Sequence, residues 1–283
     1  MALYAQISNW SFRGDRSVVE NMHLAKEAGF AGIELTIGEH GDLTADTPRH
    51  ECHNLALAAK AMKLKIGSVA CGLLWGANSA SAKKATRDLA VEITCKSLRV
   101  TANLGAAHLL VLPGHVGVPW EPKAEVVPYD DCYQRSLAFC KTIAKTAAKC
   151  GVVACMENVW NRFLLSPLEF RQFLKDVGSK YVQMYFDVGN VWNTGYPQHW
   201  IKIMGKAIQR VHVKDFQRAV GTLEGFCQLG EGDVPLRESI KLLKKAGYKG
   251  PVTAEVFPGR DASDEEGFLK TTADRLKDLL KAK

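Results

Sequence analysis

No run of about 20 apolar residues, the length needed to cross a bilayer, occurs anywhere in the 283-residue chain. Its opening, MALYAQISNWSFRGD, lacks the basic region and apolar stretch of a secretory signal. A soluble, cytoplasmic protein is therefore expected, with no membrane partner. No Cys-x-x-Cys pair occurs among the eight cysteines, Cys52, Cys71, Cys95, Cys132, Cys140, Cys150, Cys155 and Cys227. Scattered through apolar patterns, they suit reduced thiols better than a disulfide framework or a zinc knuckle. A massed basic tract is also missing: the formal charge of +7 is spread over segments such as KSLR, KTIAKTAAK and KLLKK. That distribution reads as a solvated surface able to attract an anionic substrate, and no basic groove interleaved with aromatics points to nucleic acid. Finally, no Gly/Ser/Pro-rich linker divides the chain, and its length suits one α/β barrel, so residues 1–283 are expected to form a single domain.

What is present is an alternation of short apolar strand patterns with longer helical periods, the pattern of a parallel sheet built from βα units. Eight strands are expected, near Leu3–Ser8, Gly32–Ile37, Lys65–Ala70, His108–Pro113, Val152–Glu157, Gln183–Asp187, Gln209–Lys214 and Val252–Val256. Eight can close into a (β/α)8 TIM barrel and remove both sheet edges. Glycines in AKEAGF, TANLGA, AAKCGV, KDVGSK and KKAGYK stand where helices stop in a left-handed residue. Ser166 and Pro167 read as the N-cap and first turn of the helix after strand five. AGFAGIEL and AGYKGPVTAEV echo each other as helix stop, loop and strand. Pro113 to Pro128 is the longest irregular stretch, a lid over the barrel mouth or an ordinary surface loop.

Barrel active sites are assembled at the C-terminal ends of the strands. Strand five ends VVACME at Glu157, strand six QMYFD at Asp187, strand seven RVHVKD carries His212, and strand eight VTAEV carries Glu255. Three carboxylates and one imidazole on four successive strands make an oxygen-rich site suited to one divalent metal ion, Mn, Mg, Co or Zn. Uncompensated carboxylates facing a packed barrel would cost several kcal/mol each, so three of them with an imidazole at one level ask for a shared cation. The alternative is four separate structural roles: Glu157 and Asp187 as helix caps, His212 in a core hydrogen bond, Glu255 paired with a surface base.

The motifs MENVWNRFLLSP, YFDVGNVWNTG, RVHVKD, LGEGDVP and GPVTAEVF, in this order, resemble the xylose isomerase-like superfamily of TIM barrels, in its sugar-phosphate isomerase/epimerase branch. Within it, hexulose-phosphate isomerases, ribulose- or xylulose-phosphate 3-epimerases and tagatose 3-epimerase-like enzymes are the nearest types, with the phosphosugar side favoured. The resemblance covers essentially the whole chain and is strongest from Val152 onward. It implies a metal held by Glu157, Asp187, His212 and Glu255, with the two glutamates also moving protons on a sugar or sugar-phosphate substrate. The chemistry is sensible: removing a proton beside a carbonyl builds negative charge that a cation stabilises, and two carboxylates can serve opposite faces of the carbon.

The resemblance also implies a substrate contact for Arg218, six residues after His212. Lys214 shares a strand face with His212 by the period of two and is a candidate for substrate or for a neighbouring carboxylate. His115 and Trp10 are expected to approach substrate or to pack structurally, while Glu34 is expected to be buried and paired beside the site. If a phosphate is bound, Arg218, Lys214, Arg260 and the backbone of LGEG should form its pocket; otherwise LGEG is a tight turn. Two departures from the tagatose-epimerase pattern stand out, Phe163 in place of an acid and Asn190 in place of a histidine. Asn190 can still hydrogen-bond substrate; Phe163 cannot. His23, His50 and His53 fall in helix patterns without function. Competing readings are an inosose-dehydratase-like lyase, a non-catalytic sugar-binding protein, and an abasic-site endonuclease, which needs a cluster of metals with additional histidine ligands, including one where Asn190 stands. A homo-oligomer is compatible with all of these.

Overall fold

The computed structural model describes residues 2–14, 16–257 and 264–282. Eight parallel strands form the barrel: β1 (Tyr4–Ser8), β2 (Gly32–Ile37), β3 (Lys65–Cys71), β4 (His108–Val111), β5 (Val153–Glu157), β6 (Val182–Asp187), β7 (Ile208–Val213) and β8 (Pro251–Ala254). The sheet closes in the order β1-β8-β7-β6-β5-β4-β3-β2. Each expected strand is found, displaced by no more than two residues at either end. Lys214 and Glu255 lie just past their strands rather than inside them, although the Glu255 amide still bonds to Val213 O at 3.0 Å. Strand limits move by a residue or two with the hydrogen-bond criterion, so this is a boundary effect.

Helices α1 (Val18–Glu27), α2 (Arg49–Ala61), α3 (Lys84–Asn103), α4 (Tyr129–Cys150), α5 (Pro167–Val177), α6 (Val188–Trp192), α7 (Pro197–Met204), α8 (Leu236–Lys245) and α9 (Glu265–Leu280) cover the barrel. Their punctuation is that of the sequence. Gly29, Gly105, Gly151, Gly178 and Gly247 all take positive φ, and the Ser166 side chain accepts the Glu169 amide with Pro167 in the first turn. Sequence patterning did not reveal a two-stranded antiparallel ribbon, Asp215–Phe216 with Phe226–Cys227. Strands of two residues carry no periodic signal.

The stretch after β4 is irregular, as expected, and is tied down. Val127 N bonds to Val116 O at 2.9 Å and Val116 N to Asn161 O at 3.0 Å. Glu125 accepts Ser81 Oγ at 2.6 Å and the Ala82 amide at 2.7 Å. Its exposed Trp120 meets Trp75 edge-on at 4.5 Å. Among the described residues no helix is long and apolar enough to cross a membrane, and all eight cysteines are free thiols.

Candidate metal centre

Parallel pairing sets Asp187 level with His212, and Thr253 level with His212 on the other side. Alternation along a strand then aims Glu255, two residues past Thr253, toward the same end of the barrel. Glu157, Asp187, His212 and Glu255 are all buried and each offers one ligand atom, these atoms lying within 4.8 Å of one another. Ligands about 2.1 Å from a common ion are separated by ~3.4 to 4.2 Å, so the cluster is only slightly wider than a coordination shell.

His212 Nδ1 faces the acids, at 3.1 Å from Glu255 Oε2, 3.4 Å from Glu157 Oε1 and 4.0 Å from Asp187 Oδ2. Its other nitrogen, Nε2, lies 2.7 Å from Glu34 Oε1. The Lys214 ammonium reaches Glu255 Oε2 at 2.6 Å and Asp187 Oδ2 at 3.1 Å. Among the described residues, Asp187 Oδ2 and Glu255 Oε2 are buried acceptors held by these ion contacts rather than by a well-aligned hydrogen bond. Three carboxylates turned toward one another and toward one imidazole make a hard donor set that fits a divalent cation. The residues present thus suit the ion expected from the sequence.

Proton affinities diverge across the cluster. Burial raises Glu157 to about 7, helped by the Glu255 charge and opposed by His212. Burial also acts on Glu255, but Lys214 and His212 outweigh it and hold that carboxyl far below the usual range. Burial raises Asp187 against the pull of Lys214. For His212 and Lys214, burial is overcome by the surrounding carboxylates and both are raised. Carboxylates pushed apart in this way can play different roles with protons.

The four separate structural roles are realised only in part. Asp187 does cap α6, its side chain accepting the Asn190 amide at 2.7 Å, but its second oxygen remains turned to the cluster. Asn158, which sequence reading did not single out, locks β5 to β6: its Nδ2 donates to Asp187 O at 2.8 Å and its Oδ1 accepts the Asp187 amide at 2.9 Å. Asn190 Nδ2 in turn donates to Asn158 O at 3.1 Å. Polarity at position 158, next to a strand-end acid, was the available signal.

The remaining candidates are spread around the mouth. Trp10 packs on Ala70, Leu110, Cys155 and Tyr185 of the barrel interior, as an apolar wall. The His115 ring is stacked on Trp75 at 5.8 Å, and burial lowers its pKa against the pull of the Trp75 backbone. Arg218 is turned to the α6–α7 connection, donating to Trp192 O at 2.8 Å and Gly195 O at 2.7 Å and lying 3.9 Å over the Trp192 ring. Phe163 is buried against Tyr129, Tyr133 and Phe173, so the position anchors the β5–α5 loop. In LGEG, the Gly230 amide is already bonded to Asp215 Oδ2 at 2.8 Å, as a structural turn requires. Arg260 lies outside the described residues.

The model of the xylose isomerase-like TIM barrel family matches residues 22–279. The chain belongs to this family. L-ribulose-5-phosphate 3-epimerase UlaE of Escherichia coli is 24% identical over 243 residues, which cover 84% of this chain and 82% of UlaE. The uncharacterized protein MJ1311 of Methanocaldococcus jannaschii is 26% identical over 199 residues, 68% of this chain; the match spans just under two thirds, 65%, of that relative's length. Among solved structures, that of an L-ribulose 3-epimerase superposes with a TM-score of 0.81 at 21% identity, covering 99% of this chain and 95% of the other. At that identity the likeness is one of fold.

Proposed function

We propose that the chain is a divalent-metal-dependent isomerase or epimerase of a sugar or sugar phosphate, working by proton transfer at a carbon next to a carbonyl. The observation that carries this reading is the convergence of two carboxylates from different strands on one imidazole nitrogen: Glu157 from β5 and Glu255 after β8 stand 3.4 and 3.1 Å from His212 Nδ1. Asp187, on the strand between β5 and β7, completes the donor set. Membership of the family and the epimerase named among the relatives support the same reading.

Glu157, Asp187, His212 and Glu255 would hold the ion, which when bound supplies positive charge against the charge that develops on substrate oxygen. The chain's own groups move the proton: one glutamate removes it from carbon and the other returns it, to the opposite face for epimerisation or to the neighbouring carbon for an aldose–ketose shift. Lys214, fixed by Asp187 and Glu255, places a second cation beside the reacting oxygens. Trp10 and His115 would bound the sugar on the apolar side, with Asn190 and Arg218 on the β6 and β7 side.

Incubating the metal-loaded protein with ketoses and ketose phosphates in D₂O tests this reading. Deuterium on carbon three identifies a 3-epimerase, and on carbon one or two an aldose–ketose isomerase. Loss of water from substrate would assign an inosose-dehydratase-like lyase instead. Glu157→Gln and Glu255→Gln should each lose about 10²- to 10⁴-fold in turnover per metal-loaded site, with metal content measured for each variant because both residues are ligands; a metal-replete double variant exchanging at the normal rate would refute the two-glutamate mechanism.

A further inference from the structure

Beneath the cluster the barrel interior is polar, where branched apolar side chains are the usual filling. Glu34 of β2 is fully buried there. Its Oε1 contacts His212 Nε2 at 2.7 Å, and its Oε2 accepts the Ser68 hydroxyl at 2.7 Å as well as the Tyr185 hydroxyl. Gln6 donates to Ser68 Oγ and Thr253 Oγ1, both at 2.9 Å. The Tyr185 ring also lies against the His212 ring, centroids 4.4 Å apart. Side chains from β1, β2, β3, β6 and β8 thus converge to support one imidazole on β7.

We propose that Glu34 is a positioning residue for His212, fixing the ring as its Nε2–H tautomer so that the Nδ1 lone pair faces Glu157, Asp187 and Glu255. An ionised carboxylate only accepts, so the proton of the Glu34–His212 contact belongs to Nε2. A neutral imidazole then carries its lone pair on Nδ1, the nitrogen aimed at the cluster. The buried negative charge also makes the ring a stronger donor to a cation, as carboxylates behind metal-binding histidines do. Burying a carboxylate in a barrel is costly without such a partner. Tyr185 and Ser68 occupy Oε2 and leave Oε1 for His212 alone, so the carboxylate cannot pivot away. The inference rests on the metal reading given above for the strength of ion binding, but the tautomer is a property of the protein alone.

The test compares wild type with Glu34→Gln, Glu34→Ala and Tyr185→Phe in two measurements: Mn²⁺ binding by equilibrium dialysis, and ¹⁵N NMR of histidine-labelled, metal-free protein titrated to alkaline pH, where the His212 ring becomes neutral. Wild type should show His212 protonated at Nε2. Glu34→Gln, isosteric but able to donate as well as accept, should mix the tautomers and weaken Mn²⁺ about 10-fold, and Glu34→Ala about 100-fold. Tyr185→Phe keeps the ring against His212, so it should keep the tautomer and lose less affinity than either Glu34 variant. Unchanged tautomer and affinity in Glu34→Gln would overturn the proposal even if Glu34→Ala fails to fold. Equal losses in Tyr185→Phe and Glu34→Ala would assign the effect to barrel packing and overturn it too. Wild type binding no Mn²⁺ would refute the metal reading, leaving the spectra to decide what Glu34 does to the ring.

Discussion

Gly189 lacks a side chain because Lys214 runs through the space one would fill. A Cβ built there would stand 2.4 Å from Lys214 Cγ and 2.6 Å from the Lys214 carbonyl oxygen. The side-chain carbon can swing aside, but the backbone oxygen cannot without moving the end of β7. Gly189→Ala should therefore cost about 1–3 kcal/mol by overpacking and should displace the ammonium from Asp187 and Glu255. Both effects are measurable without touching a ligand residue, as a lower melting temperature and a reduced kcat; an alanine variant with wild-type values of both would show that the close approach is tolerated. At this scale the sequence is readable where a charge stands at a strand end. Glu157, Asp187, His212 and Glu255 announce themselves because three acids and an imidazole at four successive strand ends share one explanation, a bound cation. Asn158, Ser68 and Tyr185 do not, because an uncharged side chain is at home in a loop, or in a core once its hydrogen bonds are made, and so marks nothing in the sequence.

The turn formed by residues 229–234 is organised around the side chain of Asp215, with Arg275 and Gln217 holding the carbonyls of Leu229 and Glu231. Asp215 accepts the amides of Phe216 at 2.9 Å, Gly230 at 2.8 Å and Val234 at 3.1 Å, and a Cβ on Gly232 would lie 2.3 Å from its Oδ1. The two glycines of LGEG are thus an imprint of this carboxylate. Asp215→Ala leaves three amides seeking partners, at roughly 1–3 kcal/mol for each that water does not reach. Expected is a melting temperature lowered by several degrees with Mn²⁺ affinity changed by only a few fold, since Asp215 contributes no atom to the cluster. Metal loss as large as that of a ligand variant would contradict the separation of turn and site. The eight strands and five glycine helix stops were legible because alternation and left-handed caps are local rules. The short ribbon, the tied-down β4–α4 loop and the partner of Glu34 were not, since each depends on residues tens or hundreds of positions away.

Across the whole molecule, the two ends of the barrel do different work. The C-terminal end holds the acids, while the opposite end holds His108, at the start of β4, whose pKa burial and the nearby Arg210 push down to about 3. Folding therefore opposes protonation of His108. Below about pH 6.5 the unfolded chain binds a proton there that the folded chain refuses, and stability falls as pH drops from about 6.5 toward 3. The slope contributed is at most about 1 kcal/mol per pH unit, reduced by partial exposure. Melting temperatures measured between pH 7.5 and 5 should fall less steeply for His108→Gln than for wild type, with the D₂O exchange reaction unaffected at pH 7.5; parallel curves would remove His108 as a source of acid sensitivity. β8 has only four residues, yet it is the strand that bonds to both β1 and β7, and Glu255 follows it directly. A chain emerging from the ribosome through Lys249 carries two bare strand edges, the state most open to pairing with a neighbour. Insertion of the last strand seals that seam and delivers the last acid in one motion, so a newly made molecule gains its protection from aggregation and its capacity for chemistry at the same moment.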